Sequence, residues 1–147
     1  MYFDVEMPDT KPDWKTFEKE VMNIFDGFGY KTEWNIRFKT GRRFQIDVLA
    51  WDEYRCFIVD CKDHKYINPE KEELLSLAQK ERTVNLLRVR PWLAGKKVFS
   101  LLVTRNKAAS LLDHKEAGLK IMSLDAASLP ETLRNIELYE DDLYRLA

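Results

Sequence analysis

Three charged residues stand inside apolar runs: Asp47 in FQIDVLAW, and Asp60 and Lys62 in CFIVDCK. A carboxylate among Ile, Val, Leu and Phe is costly to bury alone, so such residues need partners. If the intervening DEYR is a hairpin loop, Trp51 faces Cys56, Asp47 falls opposite Asp60, and Gln45 falls opposite Lys62. Opposed residues hold their Cβ atoms about 4.5–5.5 Å apart, where like charges destabilise a sheet. A shared proton, a neighbouring cation or a bound metal would each answer that repulsion. Lys62, two positions beyond Asp60 and on the same face, offsets part of the charge. A hard divalent ion such as Mg²⁺, held by one or two carboxylates and completed by water, fits an all-oxygen pair. The backbone carbonyl of Cys61 is a further donor there. Ordinary Asp and Lys side chains on a solvent-facing sheet surface would carry the same letters.

Placing these groups requires elements that the apolar periodicity lays out. Trp14, Phe17, Val21, Ile24, Phe25 and Phe28 recur at spacings of three and four, which predicts an amphipathic helix with Asp13 as N-cap and Gly27 and Gly29 as its stop. Residues 30–38 read as a strand, KTGRR as a turn, and 44–51 with 56–62 as the hairpin. Pro69 opens a helix over 70–88 and Pro91 closes that region. A strand over 98–104, a short helix over 108–116, a strand over 119–124 and a helix over 128–136 follow, and LYEDDLYRLA could add a helical turn or two. The order αβββαβαβα describes an α/β fold, a mixed sheet with helices around it, in a single domain over 1–147 with its core at about 14–136.

Composition narrows the setting. The 147 residues are 45% hydrophobic and 33% charged, which describes a globular chain able to bury a core. No apolar run approaches a membrane span, and MYFDVEMPDTKPD is too polar and acidic for a signal peptide, so a cytoplasmic protein is expected. Cys56 and Cys61 lie an odd number of positions apart on one strand, point to opposite faces and read as reduced core residues. Net charge is −1, but its distribution is uneven: residues 37–107 carry about +7 and the segments on either side about −4 each. That asymmetry suggests a polyanionic partner for the middle segment, although solvated surface charge would look the same.

Glu18 in TFEKEV, Asp47 in FQIDVLAW, the triplet Asp60, Cys61 and Lys62 in IVDCKDH, and Gln79 in SLAQKER form an ordered set. The set resembles the PD-(D/E)XK nuclease superfamily, in particular its Mrr-like restriction endonucleases and archaeal Holliday junction resolvases. The likeness continues through SLLVTRNKAASLL and GLKIMSLDAASLPETL to about residue 136. Two positions depart from the pattern: Asp60 stands where Mrr-like proteins usually have Glu, and Ile46 where the nominal motif has Pro.

The resemblance implies a restriction-endonuclease-like core with three α/β/α layers and a metal-dependent DNA endonuclease, dimeric by analogy, using Mg²⁺ or Mn²⁺. Asp47 and Asp60 would be metal ligands with the Cys61 carbonyl, and Glu18 a further ligand, with Glu20 its substitute should Glu18 face away. Lys62 would stabilise charge on the phosphorane or orient the attacking water, and Gln79 would hydrogen-bond that water, the lysine or a phosphate. Arg42 and Arg43 near the turn, with Arg37 and Lys39, and Lys65, Lys80, Arg82, Lys96 and Lys97 beyond it, with Arg88 and Arg90, would contact phosphates. Trp51, Trp92, Tyr54 and Tyr66 interleave with them and could stack on bases or pack in the core. His64 continues the alternation from Lys62 and could approach the site. The alternative in a different class is a domain of the same fold that binds or assembles without cleaving.

Overall fold

A computed structural model describes residues 14–63, 69–105, 110–114 and 119–142. The elements are α1 (Trp14–Gly27), β1 (Lys31–Thr40), β2 (Arg42–Trp51), β3 (Arg55–Lys62), α2 (Pro69–Val89), a 3₁₀ turn (Pro91–Leu93), β4 (Lys97–Thr104), β5 (Ser110–His114), β6 (Leu119–Asp125), α3 (Leu129–Arg134) and a closing 3₁₀ segment (Ile136–Asp142). Six strands form one sheet in the order β1-β2-β3-β4-β6-β5. β3, β4 and β6 run parallel, and β1, β2 and β5 are antiparallel to their neighbours. Phe17, Val21 and Phe25 of α1, with Leu129 and Leu133 of α3, cover one face. Leu86 and Leu87 of α2 cover the other with Leu93, which completes three α/β/α layers.

α1 ends as its glycines foretell. Gly29 adopts φ +90°, its N–H donates to Asp26 O (3.0 Å) and the Tyr30 N–H donates to Phe25 O (3.2 Å). That pattern is a Schellman cap, and the Tyr30 and Phe25 rings supply its apolar contact at 6.1 Å. Between β1 and β2 only Gly41, at φ +76°, is left to turn the chain. The expected N-cap Asp13 lies outside the described residues, as do His64, Lys65 and Tyr66.

One element differs from the sequence reading. The helix expected over 108–116 is replaced by strand β5, antiparallel to β6 through pairs such as Leu111–Met122 and Leu112–Ile121. A short segment takes its conformation from the neighbour that completes its hydrogen bonds, and the free edge of β6 supplies a ladder that an isolated turn of helix lacks.

α2 reverses the usual arrangement of an amphipathic helix. Glu72, Ser76, Gln79 and Thr83 are its buried residues before Leu86 and Leu87, while Leu74 and Leu77 are exposed. The spacing of four, three and four puts these polar groups on one stripe facing the sheet. The Thr83 and Ser100 hydroxyls share a hydrogen bond of 2.7 Å beneath it.

A candidate active site at a fork in the sheet

The hairpin register is as the loop length requires, pairing Trp51 with Cys56 through to Val48 with Val59, and there the ladder stops. Beyond it each strand follows its other neighbour. β2 remains paired with β1 as far as Arg42, and β3 remains paired with β4 as far as Lys62. The sheet therefore forks at the rung where Asp47 and Asp60 would have met. Instead of continuing the ladder, the Asp47 carboxylate accepts the Cys61 N–H through Oδ2 at 2.8 Å.

A second break coincides with the first. Asn35, which would oppose Asp47 on the β1 side, has φ +57°, a left-handed conformation rare in a strand and best tolerated by Asn, Asp and Gly. The paired rungs are Trp34–Val48 and Ile36–Ile46, with the rung between them missing. Trp34, Val48 and Ala50 pack on the α1 side, whereas Ile36, Phe38 and Ile46 pack on the α2 side. A regular strand keeps residues two apart on one face, so both strands exchange faces at this rung. Asp47 sits at the exchange point and addresses the gap between β2 and β3.

Side chains from four elements meet at this fork, around a cleft of about 530 Å³ lined by Glu18, Asp47, Asp60, Lys62 and Arg82 among others. Glu18 is 4% exposed on α1 and faces the sheet, where its Oε1 accepts the Trp34 indole N–H at 2.7 Å. Glu20 is exposed and lies 3.7 Å from Arg105. Asp60 is 3% exposed, with Lys62 Nζ 3.4 Å from its Oδ2 and Arg82 Nη1 3.6 Å from its Oδ1. The same Asp60 Oδ2 has no hydrogen-bond partner.

Burial, then the Asp60 charge, then side-chain hydrogen bonding with Asp60 push the Asp47 carboxyl up to about 8, against the opposing pull of the Cys61 N–H. Asp47 therefore keeps its proton to a higher pH than an ordinary carboxyl does. Burial and the surrounding carboxylates also raise the Cys61 thiol far above its ordinary value, in keeping with a reduced core residue. Among the described residues no three His, Cys, Asp or Glu side chains are arranged as a metal cage.

Gln79 is placed differently from its neighbours. It is fully buried and donates through Nε2 to Ile58 O (2.8 Å) and Leu101 O (3.3 Å), pinning α2 to the central strands. Arg82, three residues on, reaches Asp60, and its Nη1 also donates to Gln79 Oε1 at 3.4 Å. Asp63 lines the cleft too and accepts from Arg105, whose guanidinium lies over the Phe17 ring at 4.6 Å and so ties the end of β3 to α1. The sequence reading passed over Asp63, Arg105 and Trp34. Asp63 adjoins the triplet, and Trp34 falls on a strand whose neighbours face α1, but nothing in their spacing marks them.

Arg42 and Arg43 line the cleft, and Arg42 pairs with Glu81 at 3.0 Å. Lys96 and Lys97 do not join them. Lys97 pairs with Arg55 in the β3–β4 ladder, at the end of β3 opposite Lys62 and about 23 Å from it by strand rise. Trp51 and Trp92 pack edge to face at 5.7 Å, with Lys96 Nζ 6.0 Å from the Trp92 ring centre.

A family model described as the nuclease-related domain, NERD, matches residues 14–104, the stretch that holds Glu18, Asp47, Asp60, Lys62 and Gln79. The chain belongs to the nuclease-related domain family. This is a PD-(D/E)XK-like nuclease family, so the resemblance read from the motif residues is borne out. The NERD match ends at the last residue of β4, and β5, β6 and α3 extend the sheet and its helical cover beyond it. The crystal structure of AF1548, a protein of unknown function, is similar in fold, with a TM-score of 0.52 and 18% identity over 79% of this chain. This chain spans 60% of the length of that one. No curated protein is a significant match. Among the described residues of this NERD chain no helix is long and apolar enough to cross a membrane.

Proposed function

We propose that this chain is a metal-dependent DNA endonuclease that hydrolyses phosphodiester bonds, with Asp47, Asp60 and Lys62 at its centre. The observation that carries this reading is the carboxylate pair at the fork, half-buried Asp47 beside buried Asp60 in one cleft, with Lys62 Nζ 3.4 Å from an Asp60 Oδ2 that makes no hydrogen bond. A buried acceptor left unsatisfied is expensive and calls for a ligand that is a donor or a cation. The donor set suits Mg²⁺ or Mn²⁺: the Asp47, Asp60 and Glu18 carboxylates and the Cys61 carbonyl are all hard oxygens. Mg²⁺ keeps several waters and binds through one or two carboxylates, so a full cage of protein ligands is not required. When bound, such an ion supplies the charge that polarises the scissile phosphate and acidifies a water.

The chain's own residues supply the remainder. Lys62 brings an ammonium beside Asp60, where negative charge grows on the phosphorane oxygens. Arg82 adds a second cation from α2, on the other oxygen of Asp60. Trp34 orients Glu18 toward the fork by its indole hydrogen bond. A plasmid-nicking assay tests the reading. Wild type is expected to nick with Mg²⁺ or Mn²⁺ and to stop in EDTA, and Lys62→Ala to lower the rate by about 100-fold or more. Nicking that survives EDTA or the substitution unchanged overturns it, and a folded wild type that binds DNA without ever nicking it belongs to the binding class instead.

A further inference from the structure

Beyond the exchange of faces at Asn35 and Asp47, β1 and β2 continue as a two-stranded ribbon closed by Gly41. Its register sets Arg37 opposite Gln45 and Lys39 opposite Arg43. All four residues are exposed and share one face of the ribbon. The opposite face, with Ile36, Phe38 and Ile46, is packed on α2 and pinned there by Thr40 Oγ1 to Asn85 (2.6 Å) and Arg42 to Glu81 (3.0 Å). The ribbon is therefore a fixed arm, and its outward face holds three cations without a carboxylate among them. None of Arg37, Lys39 and Arg43 forms an ion pair among the described residues, in contrast to Arg42, Arg55, Arg90, Lys97 and Arg105.

Lys39 directly opposite Arg43 is a like-charge cross-strand pair, an arrangement that destabilises a ribbon unless an anion covers it. Arg37 and Lys39 stand two residues apart on one strand, about 6.7 Å, close to the separation of successive phosphates along a nucleic-acid strand. The recess beside them, about 590 Å³, is lined by Arg37, Phe38, Lys39, Arg43, Phe44 and Gln45, and the last three also line the cleft at the fork. Recess and cleft thus adjoin along Arg43, Phe44 and Gln45, with the cations on one side and the carboxylates on the other. The exchange of faces sets the cations outward: without it, residues 37, 39, 43 and 45 would lie on the α2 side with Glu33 and Leu49.

We infer that this ribbon face is the surface on which the phosphate backbone of a nucleic-acid strand lies as it enters the fork, with Arg43 at the junction. The inference rests on the nuclease reading for what happens at the fork, but the binding itself needs no metal and no chemistry.

The test measures binding of the full chain in EDTA to a short labelled DNA duplex and to the matching single strand, as a function of salt. Each phosphate neutralised contributes a slope of about −0.9 on a log–log plot for duplex and about −0.7 for single strand. The triple variant Arg37→Ala, Lys39→Ala, Arg43→Ala is expected to lower the slope by about 2 to 3 on whichever form the ribbon takes. Lys96→Ala with Lys97→Ala, at the far end of the sheet, should leave it unchanged. Lys39→Gln alone should weaken binding and raise Tm, because it removes one of two facing cations while keeping a polar edge strand. A residue whose role is only structural would not move those two readouts in opposite directions.

Unchanged salt slopes in the triple variant overturn the inference, and so does an equal loss in the Lys96, Lys97 variant. The third overturning result is a Lys39→Gln protein that aggregates yet binds as wild type, which would make the cations edge protection alone. Wild type that shows the ribbon-dependent slope but never nicks DNA removes the nuclease reading and leaves this one. Wild type that nicks while the ribbon variants bind normally does the reverse.

Discussion

The two ends of β3 and β4 solve the same electrostatic problem in opposite ways. At the first end, Arg55 and Lys97 are neighbours across the parallel ladder, two cations side by side. Glu140 from the closing 3₁₀ segment reaches both, with Oε2 2.9 Å from Arg55 and Oε1 2.8 Å from Lys97. Hydrogen bonds from Lys97 and Arg55 hold the Glu140 carboxyl below its ordinary value. Asp52 closes the adjoining loop by accepting the N–H groups of Tyr54 and Arg55. At the other end two carboxylates come together, burial and mutual repulsion raise one of them, and Asp60 Oδ2 makes no hydrogen bond, with Lys62 and Arg82 answering only from 3.4 and 3.6 Å. The chain can bridge juxtaposed like charges where it needs only stability. Leaving a carboxylate pair only partly compensated costs stability, and a site for an external ligand is the usual return for that cost.

Asp47→Asn attacks the contrast most directly. It keeps an acceptor for the Cys61 N–H and removes the cost of protonating or burying a carboxylate there, so metal-free stability near neutral pH should rise, by about 3 °C in Tm for each kcal/mol of that cost. Nicking should fall by about 100-fold or more, since a ligand charge is lost where the reaction needs it. Thermal melts and plasmid assays on the same preparation check both, and a drop in Tm together with retained nicking would sink the pairing of strain with function.

A pH series sharpens the comparison. The folded value of the Asp47 pair lies above that of an unfolded carboxyl, so the folded state holds a proton the unfolded state has lost. The pair's contribution to stability is fully present below about pH 4 and is lost as pH rises toward about 8. Metal-free Tm should accordingly decline over that window, and Asp47→Asn should flatten the decline. Mn²⁺ or Mg²⁺ must displace the proton, so the Tm increment on adding saturating ion should be larger at pH 8 than at pH 6.

The smallest effect belongs to the closed end. Glu140→Gln should lower Tm slightly, leave nicking unchanged, and make the melt more sensitive to salt through the uncovered Arg55 and Lys97. A loss of nicking there would mean that the two ends are coupled and that the comparison fails.

Much of the site was legible from the letters alone. The loop length and alternation around DEYR set the hairpin register from Trp51–Cys56 to Val48–Val59, because side-chain period and turn length are local quantities. The polar intruders Asp47, Asp60 and Lys62 could be singled out because their neighbours are apolar, and Glu18 because it borders the apolar stripe of α1. Gln79 and Arg82 could not be sorted that way. The stripe of α2 that faces the sheet carries Ser76, Gln79 and Thr83 while Leu74 and Leu77 are exposed, so helical periodicity of the apolar residues does not mark the buried face. Lys96 and Lys97 look like the other basic residues in composition, and only the parallel β3–β4 ladder sends them to the far end.

By itself the sequence singled out Asp47, Asp60 and Lys62 and the strand that each occupies, since residue type, turn length and alternation act over a few positions of chain. Only the tertiary structure decided that β2 and β3 part at Asp47, that Asn35 turns both strands over at that rung, and that residues 110–114 add a strand to β6. Those outcomes depend on competition among strands for hydrogen-bonding neighbours, and the winning partner is often distant in the chain and invisible to any local pattern.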